Sequence, residues 1–272
     1  MEQFRADLHC HTTCSDGSMT PAALIELALS TPLQGLCITD HDTIEAYKEA
    51  IPLAKAKGLL LGTGIEFSSQ HQGKSVHILG YDISLDSQDL KDLCMWHKTR
   101  RLERNRKILE KLAKAKKPIE ESDLKGTGVI GRPHIAQAMV EKGYVQSIRE
   151  AFNVYIGDDK CCYDPGPAMG PLETIDVIHK AGGKAFLAHP HLITGGAWLK
   201  EVLKFPFDGI ECHYSKCFPS EEKRWIKMAE KKKLLISGGS DFHGSVKPHI
   251  PLGCSWVDEK TFRSIFEKNL IE

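Results

Sequence analysis

Short apolar runs alternate with longer amphipathic stretches along most of this chain, the rhythm of an α/β protein whose buried strands are joined by helices. Phe4–Leu8 reads as a first strand. Thr20 can then cap a helix whose first position is Pro21, and the run 22–29 continues it. A second strand is expected over Leu36–Ile38, a helix over 44–57 ended by Gly58, a third strand over 59–61 and a fourth over 76–79. The rhythm resumes with a helix over 172–181 closed by Gly182-Gly183. Strands over 185–188, 209–212 and 234–236 come next, with helices over 220–232 and 261–269.

The middle of the chain has a different period. Leu90, Leu93, Cys94, Leu102, Ile108, Leu109 and Leu112 fit one face of a long helix that Pro118 stops. Further helices are expected over 133–142, with Gly143 as cap, and over 148–155. No strand separates them. Residues 86–160 are therefore read as a small helical insertion capping the active site, and residues 1–85 with 161–272 as the α/β body. His97–Lys117 holds ten Lys and Arg against Glu103 and Glu110. It reads as a solvated face that would attract a polyanion if it bordered a cleft.

Length and charge narrow the classes. A chain of 272 residues suits one large domain with an insertion. Lys plus Arg and Asp plus Glu both number 36, so no global field draws the protein to nucleic acid or an anionic membrane, and anion binding must be local. No apolar run approaches the ~20 residues of a membrane span, and the first residues lack a signal-peptide pattern. The nine cysteines are odd in number and form no CxxC pair, which favours reduced thiols and a cytoplasmic protein. No obligate protein partner is inferred.

The chemistry lies in where His and carboxylate residues fall. His9 and His11, two apart at the end of the first strand, share a face. Asp16 comes soon after. Asp40 and His41 end the second strand, Glu66 follows the third, and His77 lies on the fourth. His189, Glu211 with His213, and Asp241 with His243 end later strands. In β/α barrels the C-terminal strand ends converge on one mouth, so these groups are expected at one place. Imidazole with carboxylate suits zinc, manganese or iron, and the number of candidates exceeds the need of one ion. Paired ions ~4 Å apart can activate a hydroxide and stabilise a phosphoryl transition state. Asp40 or Asp42 could instead cap the next helix, so His41 is the preferred ligand there and Asp40 an orienting group.

Six segments in order resemble the PHP (polymerase and histidinol phosphatase) family: Asp7-Leu8-His9-Cys10-His11-Thr12-Thr13-Cys14-Ser15-Asp16-Gly17, Ile38–Thr43, Gly64–Ser68, Val76–Tyr81, Ala188-His189-Pro190 and Gly239–Gly244. The resemblance implies a distorted (β/α)7 barrel holding two or three divalent ions, Mn2+ foremost, with Zn2+ or Fe2+ as alternatives. It implies His9, His11, Glu66 and Asp241 on one ion, Glu66, His77 and His189 on a second, and Asp16, His41 and His243 on a third. The insertion and Gly131-Arg132-Pro133-His134 resemble the branch that removes phosphate from nucleoside 3′,5′-bisphosphates and trims short RNA from its 5′ end.

On that reading Arg132 and His134 bind phosphate and stabilise the transition state. His243 or a metal-held water protonates the leaving group, and Lys160, Tyr163 and His213 reach the substrate. Asp158-Asp159 and His191 depart from the pattern expected of the branch. The expected reaction is hydrolysis of a phosphate monoester on a small nucleotide such as 3′-phosphoadenosine 5′-phosphate or AMP, extending to the 5′ end of short RNA. The alternatives are a histidinol-phosphate phosphatase and a non-enzymatic nucleic-acid-binding module.

Overall fold

Thr20 caps the first helix as its position in the sequence suggests: its hydroxyl accepts from the Ala23 N–H at 3.2 Å, with Pro21 opening the helix. The computed structural model describes residues 3–126, 128–193, 195–215 and 217–272. The first units run β1 (Ala6–Cys10), α1 (Pro21–Ser30), β2 (Gly35–Ile38), α2 (Tyr47–Lys57) and β3 (Leu60–Gly62). Gly58 ends α2 in the left-handed conformation, φ 70°.

After β3 the chain departs from the expected pattern. Gly64–His71 is a separate strand, β4, paired antiparallel with β5 (Lys74–Tyr81). Gln72 and Gly73, at φ 51° and 78°, make the two-residue turn between them. Glu66 therefore sits inside β4 rather than after a third strand. Ile65 and Phe67 enter the core while Glu66 and Ser68 take the other face, because successive side chains alternate.

The helical middle segment begins with α3 (Gln88–Lys114), 27 residues long, followed by α4 (Arg132–Glu141) and α5 (Ile148–Ala151). Leu90 and Leu93 at one end of α3 join the core of the body. Ile108, Leu109 and Leu112 at the other end join a second core with Ile135, Ala136 and Met139 of α4. Leu102, expected on the buried face, is instead 52% exposed. Arg100, Arg101 and Arg104 take the buried positions in the middle of the stripe, Arg104 being 5% exposed. This part of the basic helix is not a solvated face.

The chain returns through α6 (Pro171–Lys180), β6 (Lys184–Leu187), α7 (Gly196–Val202), β7 (Gly209–Tyr214), α8 (Pro219–Lys232), β8 (Leu235–Gly239), α9 (Glu259–Ile265) and β9 (Leu270–Ile271). The α/β class holds, but a closed (β/α)7 ring is not found among the described residues. The strands form two mixed sheets, in the orders β1-β2-β3-β9 and β4-β5-β6-β7-β8. The sheets meet through isolated parallel bridges, Cys10 with Phe242 and His41 with Glu66. Cys10 separates His9 from His11 and Phe242 separates Asp241 from His243. The seams between the sheets thus carry the ligand-type residues.

Candidate metal centre

Glu66, 1% exposed, is the hub. Its Oε2 lies 3.2 Å from His9 Nε2, His11 Nε2 and His41 Nδ1. Its Oε1 lies 2.9 Å from His77 Nδ1 and 3.0 Å from His189 Nε2. Asp241 Oδ1 is 3.6 Å from His9 and 3.4 Å from His11. Asp16 reaches His243 Nε2 at 3.3 Å and His41 Nε2 at 3.7 Å. The fold thus brings together all nine residues expected as ligands. The contacts also cross the expected grouping: His41 turns Nδ1 to Glu66 and Nε2 to Asp16, His11 Nδ1 lies 3.6 Å from Asp16, and His243 Nδ1 lies 3.4 Å from Asp241.

The donor set fits divalent ions. Three groups have ligand atoms within 4.8 Å of one another: His11, Asp16, His41 and His243; His9, His11 and Asp241; and His41, Glu66 and His77. His11 Nε2 and His41 Nδ1 are buried with no hydrogen-bond partner. Burial pushes His41 down to about 3, against the pull of Glu66 and Asp16 beside it. Burial opposes a charge on His11 too, yet Asp241 and Glu66 raise it to about 9. Burial would raise Glu66, but His41, His9 and His77 hold it well below the usual carboxylate range. These buried carboxylates require positive charge beside them, which protons supply when ions do not.

Carboxylates that coordinate nothing frame the centre. Asp7 accepts from the Ser240 and Gly253 N–H groups, both at 2.9 Å, tying β1 to the segment after β8. Asp40, expected to orient an imidazole, accepts from Thr12 N and Oγ1, at 2.7 and 2.6 Å, and from Ser15, whose hydroxyl lies 3.5 Å from His11 Nδ1. It touches no ring directly and fixes the loop that carries Asp16. Glu211, expected at the same mouth but in none of the ligand sets, accepts from His9 Nδ1 at 2.7 Å. The signal for it was its place at a strand end beside His213.

Asp42 accepts from Arg101 Nε at 2.7 Å and from Ser68 N at 2.8 Å, with His97 Nδ1 3.5 Å away. Burial pushes His97 down to about 4. An unfolded histidine titrates near ~6.5, so between these pH values the unfolded chain binds the extra proton and stability rises with pH. The contribution is whole above pH ~6.5 and is lost toward pH ~4, with a ceiling of roughly 3 kcal/mol. Denaturant unfolding of metal-free protein at pH 7.5 and 5 should show the wild type losing more stability on acidification than His97→Phe. Equal losses would mean that His97 is not held neutral.

A cleft of about 270 Å³ opens beside the centre, lined by Asp16, His41, His77 and His243 on one side and by Arg100, Arg101, Arg104 and Arg132 on the other. Arg132 reaches Asp158 at 2.7 Å, and its guanidinium lies 5.2 Å from the Tyr163 ring centre. The acidic Asp158, unexpected from the sequence, thus positions Arg132, and the Tyr163 ring packs against that guanidinium without lining the cleft. Arg104 has no carboxylate partner among the described residues, and its Nε is buried and unbonded. Burial and the neighbouring Arg132, Arg101 and Arg100 push it well below the usual arginine range.

Other expected substrate residues lie elsewhere. His134 accepts the Gly131 N–H on Nδ1 at 3.1 Å, and lines an adjoining cavity with Ser15 and Gln137 rather than the arginine cleft. Lys160 is exposed in a turn and does not line the cleft. His213 points to Glu222 of α8, 3.5 Å away, because a register shift in β7 between Glu211 and His213 turns it off the site. His191 packs against Tyr214, with ring centres 4.3 Å apart. His243 Nδ1 faces the Asp241 carbonyl at 2.8 Å, so Nε2 is its cleft-facing atom. A ring that holds an ion on Nε2 has no proton there to give. Its roles as ligand and as acid exclude each other at that atom.

The PHP domain family model matches residues 7–160. The chain is 34% identical over 262 residues to the 5′-3′ exoribonuclease Rnm of Escherichia coli, covering 93% of this chain and 87% of that protein. It is 29% identical to a 3′,5′-nucleoside bisphosphate phosphatase of Chromobacterium violaceum, covering 87% of this chain and 86% of that one. A structure described as a metal-dependent phosphoesterase of Bifidobacterium adolescentis superposes with a TM-score of 0.86 at 31% identity, covering 97% and 96% of the two chains. Matched in family model, sequence and fold, the chain belongs to the PHP family. These relatives are named for hydrolysis of phosphoester bonds.

Proposed function

We propose that this protein is a metal-dependent phosphoesterase that removes a phosphate monoester from a small nucleotide already carrying a second phosphate, and that also accepts the 5′ end of short RNA. The observation that carries the reading is the cleft: ligand-type residues form one wall and four guanidiniums the other, with only Asp42 and Asp158, among the described residues, paired to the guanidiniums. A guanidinium does not lose its proton in proteins, so the remaining positive charge calls for an anion. A bisphosphate places one phosphate at each wall.

His9, His11, Asp16, His41, Glu66, His77, His189, Asp241 and His243 would hold the ions, Mn2+ foremost. When bound, such ions supply a water deprotonated near neutral pH and stabilise charge on the phosphoryl oxygens. Arg100, Arg104 and Arg132 bind and orient the non-reacting phosphate, and Lys247 faces the same cleft. His243 acts as a ligand rather than as the acid, since its Nε2 cannot be both. The two seamed sheets are an opened form of the (β/α)7 barrel, and residues 86–160 cap its mouth. Among the described residues no helix is long and apolar enough to cross a membrane, and the nine free thiols favour a reducing cytoplasm.

Phosphate release from 3′-phosphoadenosine 5′-phosphate, AMP, histidinol phosphate and a 5′-phosphorylated RNA oligomer tests this. With Mn2+, the bisphosphate should have the highest kcat/KM, and EDTA should abolish turnover. No metal-stimulated turnover of any of the four would overturn the reading. A preference for histidinol phosphate would replace the substrate assigned.

A further inference from the structure

Strand β7 supplies none of the nine expected ligands, yet it touches three of them. Glu211 is 1% exposed and both its oxygens are engaged. Oε1 accepts from His9 Nδ1 at 2.7 Å, and Oε2 accepts from the His189 main-chain N–H at 2.6 Å. His189 sits at φ 27°, a conformation a residue with a side chain rarely holds without support. Three residues on, the Tyr214 hydroxyl donates to Asp241 Oδ2 at 2.6 Å, an oxygen also held by Lys247 at 2.6 Å. That leaves Asp241 Oδ1 facing His9 and His11.

A regular strand would present Glu211 and His213 on one face. The register shift between them, where Glu211 pairs with Ser237 and His213 with Gly238, changes the pattern. Glu211 and Tyr214 both reach the centre while His213 leaves it. The strand thus delivers a carboxylate and a phenol, neither with an atom left over for an ion.

We propose that β7 is the positioning strand of the metal centre. Glu211 fixes His9 as the Nδ1–H tautomer and anchors His189, and Tyr214 fixes the orientation of Asp241. Through His9 and Asp241 the strand governs one ion position, and through His189 a second. A ligating imidazole holds its ring, and the lone pair on its other nitrogen, through the group its N–H meets. Glu211 does this for one ligand while holding the backbone of another. The proposal rests on the nine residues being metal ligands, but not on the identity of the substrate.

The test is Mn2+ binding to metal-free protein, followed by calorimetry and by the electron paramagnetic resonance of free Mn2+, for wild type, Glu211→Gln and Tyr214→Phe. Glutamine can accept at one of the two contacts but must present an amide donor at the other. The expected result is an apparent Kd about 10–100-fold higher for Glu211→Gln and about tenfold higher for Tyr214→Phe. Circular dichroism of the metal-free proteins should be unchanged. A residue with only a structural role would not shift the affinity of a folded protein.

Wild-type affinity and stoichiometry in both variants would overturn the proposal. Wild-type protein that binds no Mn2+ would overturn the metal-centre reading itself, and β7's role with it. Should Glu211→Gln fail to fold, the ring proton of His9 in wild-type protein decides the matter by nitrogen NMR. Protonation at Nδ1 supports the assignment, and protonation at Nε2 with Nδ1 bare refutes it.

Discussion

Replacing Glu66 with alanine is expected to lower kcat/KM for phosphate release by about a thousandfold or more and to deplete the protein of bound metal. Both oxygens are committed: three imidazoles meet one and two meet the other, all within 3.2 Å. No other carboxylate in the centre touches as many ligand-type rings, so its loss disturbs more than one ion position. A contribution of about 4 kcal/mol to the transition state, within the several kcal/mol that a bound ion supplies, corresponds to about a thousandfold in rate. The fold should survive, because Ile65 and Phe67 on either side keep β4 packed in the core. Metal analysis by mass spectrometry and a phosphate-release assay check both parts. A variant with full metal content and wild-type turnover would remove Glu66 from the centre.

Arg104→Met is expected to move stability and function in opposite directions. Arg104 is buried, lacks an acidic partner among the described residues and sits among Arg100, Arg101 and Arg132. An uncompensated buried charge destabilises the folded state, and an apolar chain of similar length removes that penalty. The ligand-free variant should therefore be more stable by about 1–3 kcal/mol in denaturant unfolding. A charge-assisted hydrogen bond to phosphate contributes ~1.5–3 kcal/mol, so KM for the bisphosphate should rise about 10–100-fold. Added inorganic phosphate should stabilise the wild type more than the variant. A variant less stable than the wild type, with unchanged KM, would make Arg104 a structural residue.

These two residues were not equally legible. Glu66 stands out in the sequence because its segment, Gly64–Ser68, is one of six motif-like segments in a fixed order. Its place in a hairpin strand was missed, since β3 and β4 are separated by a single residue, Thr63, and the two runs read as one. Arg104 was hidden by a helical pattern that looked ordinary. Leu102 was assigned to the apolar face, whereas the buried stripe passes through Arg100, Arg101 and Arg104. Periodicity assumes that the buried face is apolar, and it misplaces the stripe where a helix crosses a charged cleft. His213 was misplaced for a comparable reason. Strand alternation puts it beside Glu211, and the register shift that turns it away depends on pairing with β8. Asp158 departs from the pattern of the branch because its partner, Arg132, lies 26 residues away and meets it only in the folded chain.

By itself, the sequence determined the α/β rhythm, the helical character of the middle segment and the kinds of residue available for metal chemistry. These depend on local periodicity and on side-chain chemistry, which any short segment carries with it. The tertiary structure alone decided that the strands form two seamed sheets rather than a closed ring. It also decided that five imidazoles meet on Glu66, that Glu211 and Tyr214 contact His9, His189 and Asp241, and that three arginines of α3 line the cleft. Each of those facts concerns groups tens to hundreds of residues apart, and their contacts depend on registers and burial that exist only once the chain has packed.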